Sequence, residues 1–438
     1  MKSTSKSVLV VGAGPAGATA ALALAKAGVT VRLLDRSNFP RNKPCGGGIS
    51  LRVLRRFPYL ERELGRIATH TVGRLHLEGP DGDSTIVDAG EAAALLIRRV
   101  EFDELLVSLA VEAGAELVTG VDIVQAAMDD ERVVLTARDR RAFEAPSVPP
   151  ADGVYSVIAR RLGLNPGWPA SSMALDMMEE TPRASLREAD PSMLWVSYGF
   201  DRDRTRGGKS RDRRAPEGYA YIFPKRDHVN VGVGYVLDHY RRSIDAAPYD
   251  VQRGFVDHLE RRGIIAGESI RKNFTPFQIP VGGPLNKPRA GRVLLAGDAG
   301  GFVNGFTPEG IYYAMVPGEH AARAIATLPP GAERSLARRY RRACNYEIGA
   351  ELRESVLIQR YLFADRRRIA KVIEGATRAP AMTRAILDFA IGRLRYAQLR
   401  RRLLLGAPLL AGRLVWEQLK ELGTSLRGFG PGAESAGP

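Results

Sequence analysis

Gly12, Gly14 and Gly17 stand in the run G-A-G-P-A-G, between a short apolar segment and an alanine-rich stretch that starts at Pro15. Glycines at this spacing suit the turn from a strand into a helix. Gly12 permits the tight turn, Gly14 lets the backbone approach a pyrophosphate, and Gly17 lets helix and strand pack closely. Pro15 and Ala16 open the helix, whose free N–H groups and positive dipole end favour phosphate. Asp35, followed by Arg36, closes the next apolar run, where a carboxylate can accept from ribose hydroxyls. Two later turns also carry an aspartate. Ala151-Asp152-Gly153 precedes a helix bearing Ser156 and Arg160, and L-L-A-G-D-A (Leu294 to Ala299) brings Gly297 and Asp298 out of a strand into a turn of small residues. There Asp298 can accept from a ribityl chain, which favours FAD over NAD as the dinucleotide.

Redox chemistry also needs groups that face a substrate. Cys45 lies in K-P-C-G-G-G-I-S (Lys43 to Ser50). It can relay or donate a proton, or simply fill a small apolar space. Gly46, Gly47 and Gly48 beside it let the backbone sit against a flat ring or an apolar chain. Tyr219, Tyr221 and Phe223 are spaced by two, so they share one face of a strand while Ala220 and Ile222 share the other. That aromatic row either lines a substrate cavity or packs inside a sheet. No metal site is expected.

The elements that position these residues follow from hydrophobic period. Ser7 to Gly12 and Val29 to Asp35 read as strands flanking a helix from Pro15 to Ala27. Glu101 to Ala113 reads as a second helix, Ala115 to Val124 and Val133 to Ala137 as strands, and Ser156 to Leu164 as a further helix. From about Ser171 the pattern alternates: Leu194 to Gly199, Gly218 to Phe223 and Val229 to Val236 predict antiparallel strands, with a charged loop from Asp201 to Arg214 between them. Arg292 to Ala296 predicts a buried strand, and a helix follows from about Glu309. Glu333 to Leu426 is largely helical by period, and Gly428 to Pro438 is a Gly/Pro/Ser-rich tail expected to be disordered.

The fold class expected is α/β: a Rossmann-type FAD-binding domain, an antiparallel-sheet substrate domain and a C-terminal helical region. The FAD-binding domain is discontinuous, from residues 1–60, 95–165 and 270–330. Residues 61–94 and 166–269 form the substrate domain, 331–427 the helical region and 428–438 the tail.

The chain has 438 residues, 45% of them hydrophobic, enough for a sizeable core. Two cysteines, Cys45 and Cys344, give no disulfide framework and suit a reducing compartment. The polar start, Met1 to Lys6, runs directly into a strand, so no secretory signal is expected. The apolar stretch Leu403 to Gly412, bounded by Arg402 and Arg413, is too short to span a bilayer. A cytoplasmic location, peripheral on the inner membrane surface, is expected. The formal charge is +15, from 64 basic and 49 acidic side chains, with much of the excess as arginine interleaved with Leu, Ile, Ala and Tyr beyond Arg323. Such a surface suits anionic lipid headgroups or an acidic protein. No nucleic-acid-reading motif is present, so no nucleic-acid partner is expected.

The three dinucleotide motifs together resemble the large flavin-dependent family that includes aromatic hydroxylases and isoprenoid reductases. Within it, Lys43 to Ser50 resembles the K-x-C-G-G segment of geranylgeranyl reductases. Pro216 to Pro224 resembles their P-x-x-Y-x-W-x-F-P strand, with Tyr221 in place of tryptophan. Asn304 to Met315 resembles their N-P-x-T-G-E-G-I-x-x-A-M/L loop and helix. The resemblance runs from about Lys6 to Ile325.

It implies that FAD lies among the early glycine turn, the Asp152 turn and the Asp298 turn. Arg99 matches an arginine near the FAD phosphates, although an arginine four residues before Asp103 also suits the surface of an amphipathic helix. Val124, Gly310 and Ile311 are expected beside the same cofactor. The helix N-terminus at Thr307 to Ile311 is expected at the flavin pyrimidine edge, where it favours the negative charge that develops on reduction. There are departures. Gly305 replaces a usual proline, Pro308 replaces a usual glycine and removes an N–H, and Pro150 replaces a usual glycine. Pro308 nonetheless suits the first turn of the helix that follows.

The activity implied is saturation of isolated C=C bonds in a polyprenyl (geranylgeranyl) chain on a lipid, quinone or pigment, with hydride from reduced flavin N5. Cys45, Tyr219 and Tyr221 are the candidate catalytic residues. NAD(P)H or an acidic ferredoxin is the expected electron donor, and the membrane surface is an expected partner. The alternatives are a flavin monooxygenase or halogenase of the same fold, and a prenyl-binding protein without redox activity. No W-x-W-x-I-P-like segment speaks for a halogenase, and intact glycine and aspartate motifs speak against the non-redox protein.

Overall fold

In a computed structural model of the protein, residues 7–200, 217–390 and 392–402 are described. The segment Met1 to Lys6, the loop Asp201 to Arg214, the apolar stretch Leu403 to Gly412, the end of the helical region to Leu426 and the tail from Gly428 lie outside the described residues.

The N-terminal half begins with a parallel sheet. Strand Ser7–Val11 pairs with Thr30–Leu34, which pairs with Glu116–Val118. Parallel bridges from Val8 to Ser147, Val11 to Pro150 and Val148 to Val293 extend it on the other side. Ser7–Val11 is apolar and almost wholly buried, as a strand covered on both faces must be. One cover is a layer of three helices: Pro15–Lys26, Arg99–Glu112 and Ile311–Ala326. Their shared core includes Leu22, Leu24, Phe102, Leu106, Tyr313 and Val316. The other cover is a small antiparallel sheet of Ile123–Met128, Val133–Ala137 and Ala142–Ala145.

The second layer system is a seven-stranded mixed sheet in the order Phe274–Pro280, Met173–Pro182, His228–Val236, Gly218–Pro224, Met193–Ser197, Arg74–Glu78 and Ser84–Asp88. Pairing is antiparallel throughout except between Met193–Ser197 and Arg74–Glu78. Period-two alternation divides its faces. Leu175, Met177, Ala220, Ile222, Val231 and Val233 pack with Phe255 and Leu259 of the helix Pro248–Arg261. The opposite face, bearing Asp176, Tyr219, Tyr221, Phe223 and Phe277, turns toward the first domain. The C-terminal helices Leu336–Cys344, Ala350–Phe363, Arg366–Arg378 and Pro380–Ala390 close one side. The three architectural parts are those expected.

Several local expectations need correction. Ala115 to Val124 is not one strand. Glu116–Val118 ends in a turn at Gly120, and Ile123–Met128 starts in another sheet. The helix from Glu309 begins at Ile311 with Gly310 at its N-cap, so Pro308 sits in the preceding loop rather than in the first turn. The segment Arg292 to Ala296 does run along the parallel sheet, its Leu294 N–H donating to the Val148 carbonyl at 3.1 Å and its Ala296 N–H to the Pro150 carbonyl at 2.8 Å, but regular strand is confined to Val293–Leu294 before a tight turn at Gly297–Gly300. The segment assigned to the FAD-binding domain from residue 270 contains Phe274–Pro280, which pairs with Met173–Pro182 as the edge of the large sheet.

The helix layer tolerates little added volume at two points. A Cβ on Gly17 would lie 1.8 Å from the Gly12 carbonyl oxygen, and one on Gly318 would lie 2.2 Å from that of Ala16. Gly318 therefore sets how closely the helix Ile311–Ala326 approaches the glycine turn. Gly318→Ala is expected to cost about 1–3 kcal/mol through forced separation of the two helices. Thermal denaturation of the protein without added cofactor checks this as a lowered Tm.

Candidate functional site

One cavity of about 660 Å³ runs between the two sheets. Gly12, Gly14, Pro15, Ala16, Asp35, Arg36, Cys45, Gly46, Gly47, Arg99, Asp152, Gly297, Asp298, Gly310 and Ile311 all line it, together with Tyr219 and Tyr221. Two expected residues do not. Gly17 is spent on the contact with Gly12. In place of Val124 the cavity is lined by Val121, Asp122 and Ile123, the residues just before it, and the Val124 carbonyl accepts from Arg161 Nε at 3.1 Å.

At the nucleotide end, Gly12 has φ +93°, and a Cβ there would fall 2.3 Å from the Ala151 carbonyl oxygen. The glycine turn and the Asp152 turn are thereby held in backbone contact. Asp35 accepts the Ala13 N–H at 2.7 Å and the Ser37 N–H at 2.8 Å, which fixes its carboxylate at the cavity wall. Asp152 Oδ2 accepts the Val157 N–H at 2.9 Å and so caps the helix Val157–Arg161, with Ser156 accepting from Ala159 at 3.0 Å. Asp152 Oδ1 is buried with no hydrogen-bond partner among the described residues. Burial raises the pKa of Asp152, opposed by those N–H donors.

Arg99 is not a surface side chain. It is buried and makes a bidentate pair with the fully buried Asp103, at 2.7 and 2.8 Å. Asp103 also pairs with Arg41 at 3.0 Å. Two cations on one carboxylate leave a net positive charge. Arg41 borders the glycine turn: a Cβ on Gly14 would lie 3.5 Å from its Nη2. Arg41 went unnoticed in the sequence, where it is one of many arginines.

The cysteine loop crosses from this end to the large sheet. Cys45 Sγ accepts the Gly47 N–H at 3.3 Å, and the Cys45 carbonyl accepts from Asn230 at 3.3 Å and Lys225 at 3.4 Å. Lys225 pairs with Glu180, which also takes Arg98 at 2.7 Å. Glycine is required where the loop meets the sheet, since a Cβ on Gly46 would lie 2.6 Å from the Phe223 ring. Lys43 sits with its ammonium 3.2 Å from the Phe277 ring centroid. Burial lowers its pKa to about 8, against the pull of Asp298.

The aromatic row is more extensive than its sequence spacing implies. Tyr219, Tyr221 and Phe223 have neighbouring ring centroids 6.0 and 4.7 Å apart. Tyr198 continues the row 5.9 Å from Tyr219, Phe306 stacks 5.8 Å from Tyr198, and Phe363 lies 6.2 Å beyond. Tyr219 donates its hydroxyl to the Thr307 carbonyl at 3.1 Å. Tyr221 donates to Asp176, at 3.1 Å to Oδ2 and 3.2 Å to Oδ1. Asp176 is a site residue that strand reading missed, although a lone acid within M-A-L-D-M-M was a visible anomaly. Burial raises its pKa to about 7, opposed by the Tyr221 hydrogen bond and by Lys43.

These features fit FAD. The orphaned Asp152 Oδ1 can take a ligand donor, the Gly12–Gly14 backbone leaves a cradle that side chains would fill, and Arg41 with Arg99 offers positive charge for a pyrophosphate. Asp298 and the N-terminus of the helix Ile311–Ala326 face the cavity farther along.

Comparison with known proteins agrees. Residues 5–346 match the model of the FAD binding domain family. The chain is 30% identical over 329 residues to the menaquinone reductase of Mycobacterium tuberculosis, covering 73% of this chain and 76% of that one. It is 32% identical over 326 residues to the geranylgeranyl diphosphate reductase of Rhodobacter capsulatus, covering 72% and 73% respectively. A crystal structure from Thermoplasma acidophilum, described as geranylgeranyl bacteriochlorophyll reductase-like, superposes with a TM-score of 0.71 at 19% identity, covering 91% of this chain and 98% of that one.

Two outcomes follow. Asp298→Ala is expected to weaken FAD binding about tenfold or more, the scale of one lost hydrogen bond to a charged group. Fluorescence titration with FAD measures it, and the unliganded fold should keep its Tm. For Asp176, the neutral form is favoured on folding, so its contribution to stability is full below the unfolded value of 3.8 and is lost as pH rises through about 7. Asp176→Asn carries no charge, so its Tm should exceed that of the wild type by a few degrees at about pH 8 and by much less at about pH 5.

Proposed function

The chain belongs to the geranylgeranyl reductase family of FAD-dependent oxidoreductases, and we propose that it saturates isolated C=C bonds of a polyprenyl chain carried by a lipid, quinone or pigment. The observation that carries this reading is the aromatic row from Phe223 to Phe363. It gives the cavity a long apolar wall that leads from the cysteine loop to the C-terminal helices. A chain laid along it gains about 0.8 kcal/mol for each buried CH2. Such binding is large enough to position an unpolarised alkene, for which proximity is the main lever.

FAD, when bound, supplies the hydride chemistry. The protein's part is placement and charge. Gly46 and Gly47 bring loop backbone close to the aromatic row. The free N–H groups at Ile311, with the Lys43 ammonium, favour negative charge at that end of the cavity. Burial by Phe223, Tyr221 and Phe277 excludes water from the reacting centre.

The substrate carrier and the electron donor are read from surface chemistry. Phe363 and Gln359 line the cavity from the helix Ala350–Phe363, whose outer face exposes Leu357, Ile358 and Tyr361 beside Arg353 and Arg360. An apolar strip rimmed by arginine suits the surface of an anionic bilayer, from which a prenyl tail can enter the cavity. Among the described residues no helix is long and apolar enough to cross a membrane. The same basic surface would accept an acidic ferredoxin, and NAD(P)H is the other candidate donor.

The test is anaerobic reduction of the FAD-loaded protein with dithionite, then incubation with geranylgeranyl lipid, menaquinone and geranylgeranylated pigment in vesicles. Mass spectrometry should find one added H2 per double bond saturated in at least one of them. Unchanged prenyl chains in all three, with a hydroxylated product once oxygen is admitted, would reassign the site to oxygen activation.

A further inference from the structure

Asp176 lies at the centre of the cavity face, between Gly234 and Phe277 in register. Among the described residues it makes no salt bridge, and Tyr221 is its hydrogen-bonding partner. The sheet makes room for that pair. A Cβ on Gly232 would lie 2.4 Å from Tyr221 Cζ and 2.5 Å from its hydroxyl oxygen. Across the cavity, a Cβ on Gly46 would lie 3.5 Å from Tyr221 Cε2, so the phenol borders the cysteine loop. Packing alone would be met by phenylalanine at this position, without a buried acid behind it.

We infer that Asp176 and Tyr221 form the proton donor for the reaction, Tyr221 passing its proton to the substrate and Asp176 replacing it. This rests on the prenyl-reduction reading. The other candidates are less well placed. The Tyr219 hydroxyl is committed to the Thr307 carbonyl, and Cys45 Sγ accepts from Gly47 and lies beside the Arg99 and Lys43 cations rather than a carboxylic acid.

The step balances as follows. Reduced FAD, when bound, would supply hydride with both electrons to one alkene carbon as the π bond breaks, its own electrons drawn from a nicotinamide or ferredoxin donor. The Tyr221 O–H proton goes to the other carbon. When Asp176 is protonated its O–H can instead donate along the same 3.1 Å contact, and this proton moves to the Tyr221 oxygen, which leaves Asp176 as a carboxylate that water reprotonates once the product has left the cavity. Asp176 is faced by Tyr221, by Tyr219 and by Lys43. Burial outweighs the Lys43 charge and keeps the acid protonated up to about pH 7.

The experiment uses FAD-loaded wild type, Tyr221→Phe and Asp176→Asn, reduced by dithionite and mixed with geranylgeranyl lipid, menaquinone and geranylgeranylated pigment in vesicles, each in single turnover between about pH 5 and 9. FAD affinity and dithionite reduction report that the variants are folded. Alongside, infrared difference spectra of each protein follow the protonated-carboxyl stretch across the same range. The inference expects a wild-type carboxyl band that disappears through about pH 7 and is missing in Asp176→Asn. It expects substrate reduction slowed about 100-fold or more in Tyr221→Phe, the scale of a lost general acid. In Asp176→Asn it expects a rate that no longer falls as pH passes 7. An active wild type whose variants react within threefold of it, or that lacks the titrating band, overturns the dyad and leaves the prenyl reading standing. A wild type that reduces no prenyl substrate overturns both.

Discussion

The site depends on the close approach of backbone to backbone where the glycine turn meets its neighbours. Gly17 lies against the Gly12 carbonyl, Gly318 against the Ala16 carbonyl, and Gly12 against the Ala151 carbonyl, each too close for a side chain. These contacts hold three distant segments as one floor: the N-terminal fingerprint, the Asp152 turn, and the Asp298 turn with its following helix. Were any one spread by a methyl group, the cofactor contacts would separate even though every residue remained in place.

Above that floor, charge is arranged economically. Arg99 and Arg41 share Asp103, so one buried carboxylate orients two guanidinium groups near the glycine turn and leaves positive charge to spare. Lys43 lies farther along, between Asp298 and Asp176. The cavity therefore changes character along its length, from cationic and hydrogen-bonding at the fingerprint to aromatic at the large sheet. That gradient suits a charged dinucleotide at one end and an apolar chain at the other.

The sequence was most legible where chemistry is local. The fingerprint, Asp35, Asp152 and Asp298 each sit at a strand end or in a turn a few residues long, and residue type together with spacing exposes them. Tyr219, Tyr221 and Phe223 were placed on one face by period alone. What could not be read depends on register between strands far apart in the chain. Asp176 meets Tyr221 because Met173–Pro182 and Gly218–Pro224 flank His228–Val236 in the same sheet, and Tyr198 and Phe306 join the aromatic row through contacts that no single segment records. Val124 shows the sharpness of the limit. The chain leaves the cavity wall after Ile123, one residue short of it, and the break at Gly120 fell inside a segment that read as one strand.

The central claim is spatial: flavin lies on the glycine floor, and a prenyl chain lies along the aromatic row with a double bond beside Tyr221. The most direct measurement is a crystal structure of the protein with FAD and a geranylgeranyl lipid. The account predicts the isoalloxazine ring between the Cys45–Gly47 loop and the Gly310–Ile311 helix start, with the chain packed on Phe223, Tyr221 and Tyr219 toward Phe363. A prenyl chain bound elsewhere, with the aromatic row facing only protein or water, would contradict it.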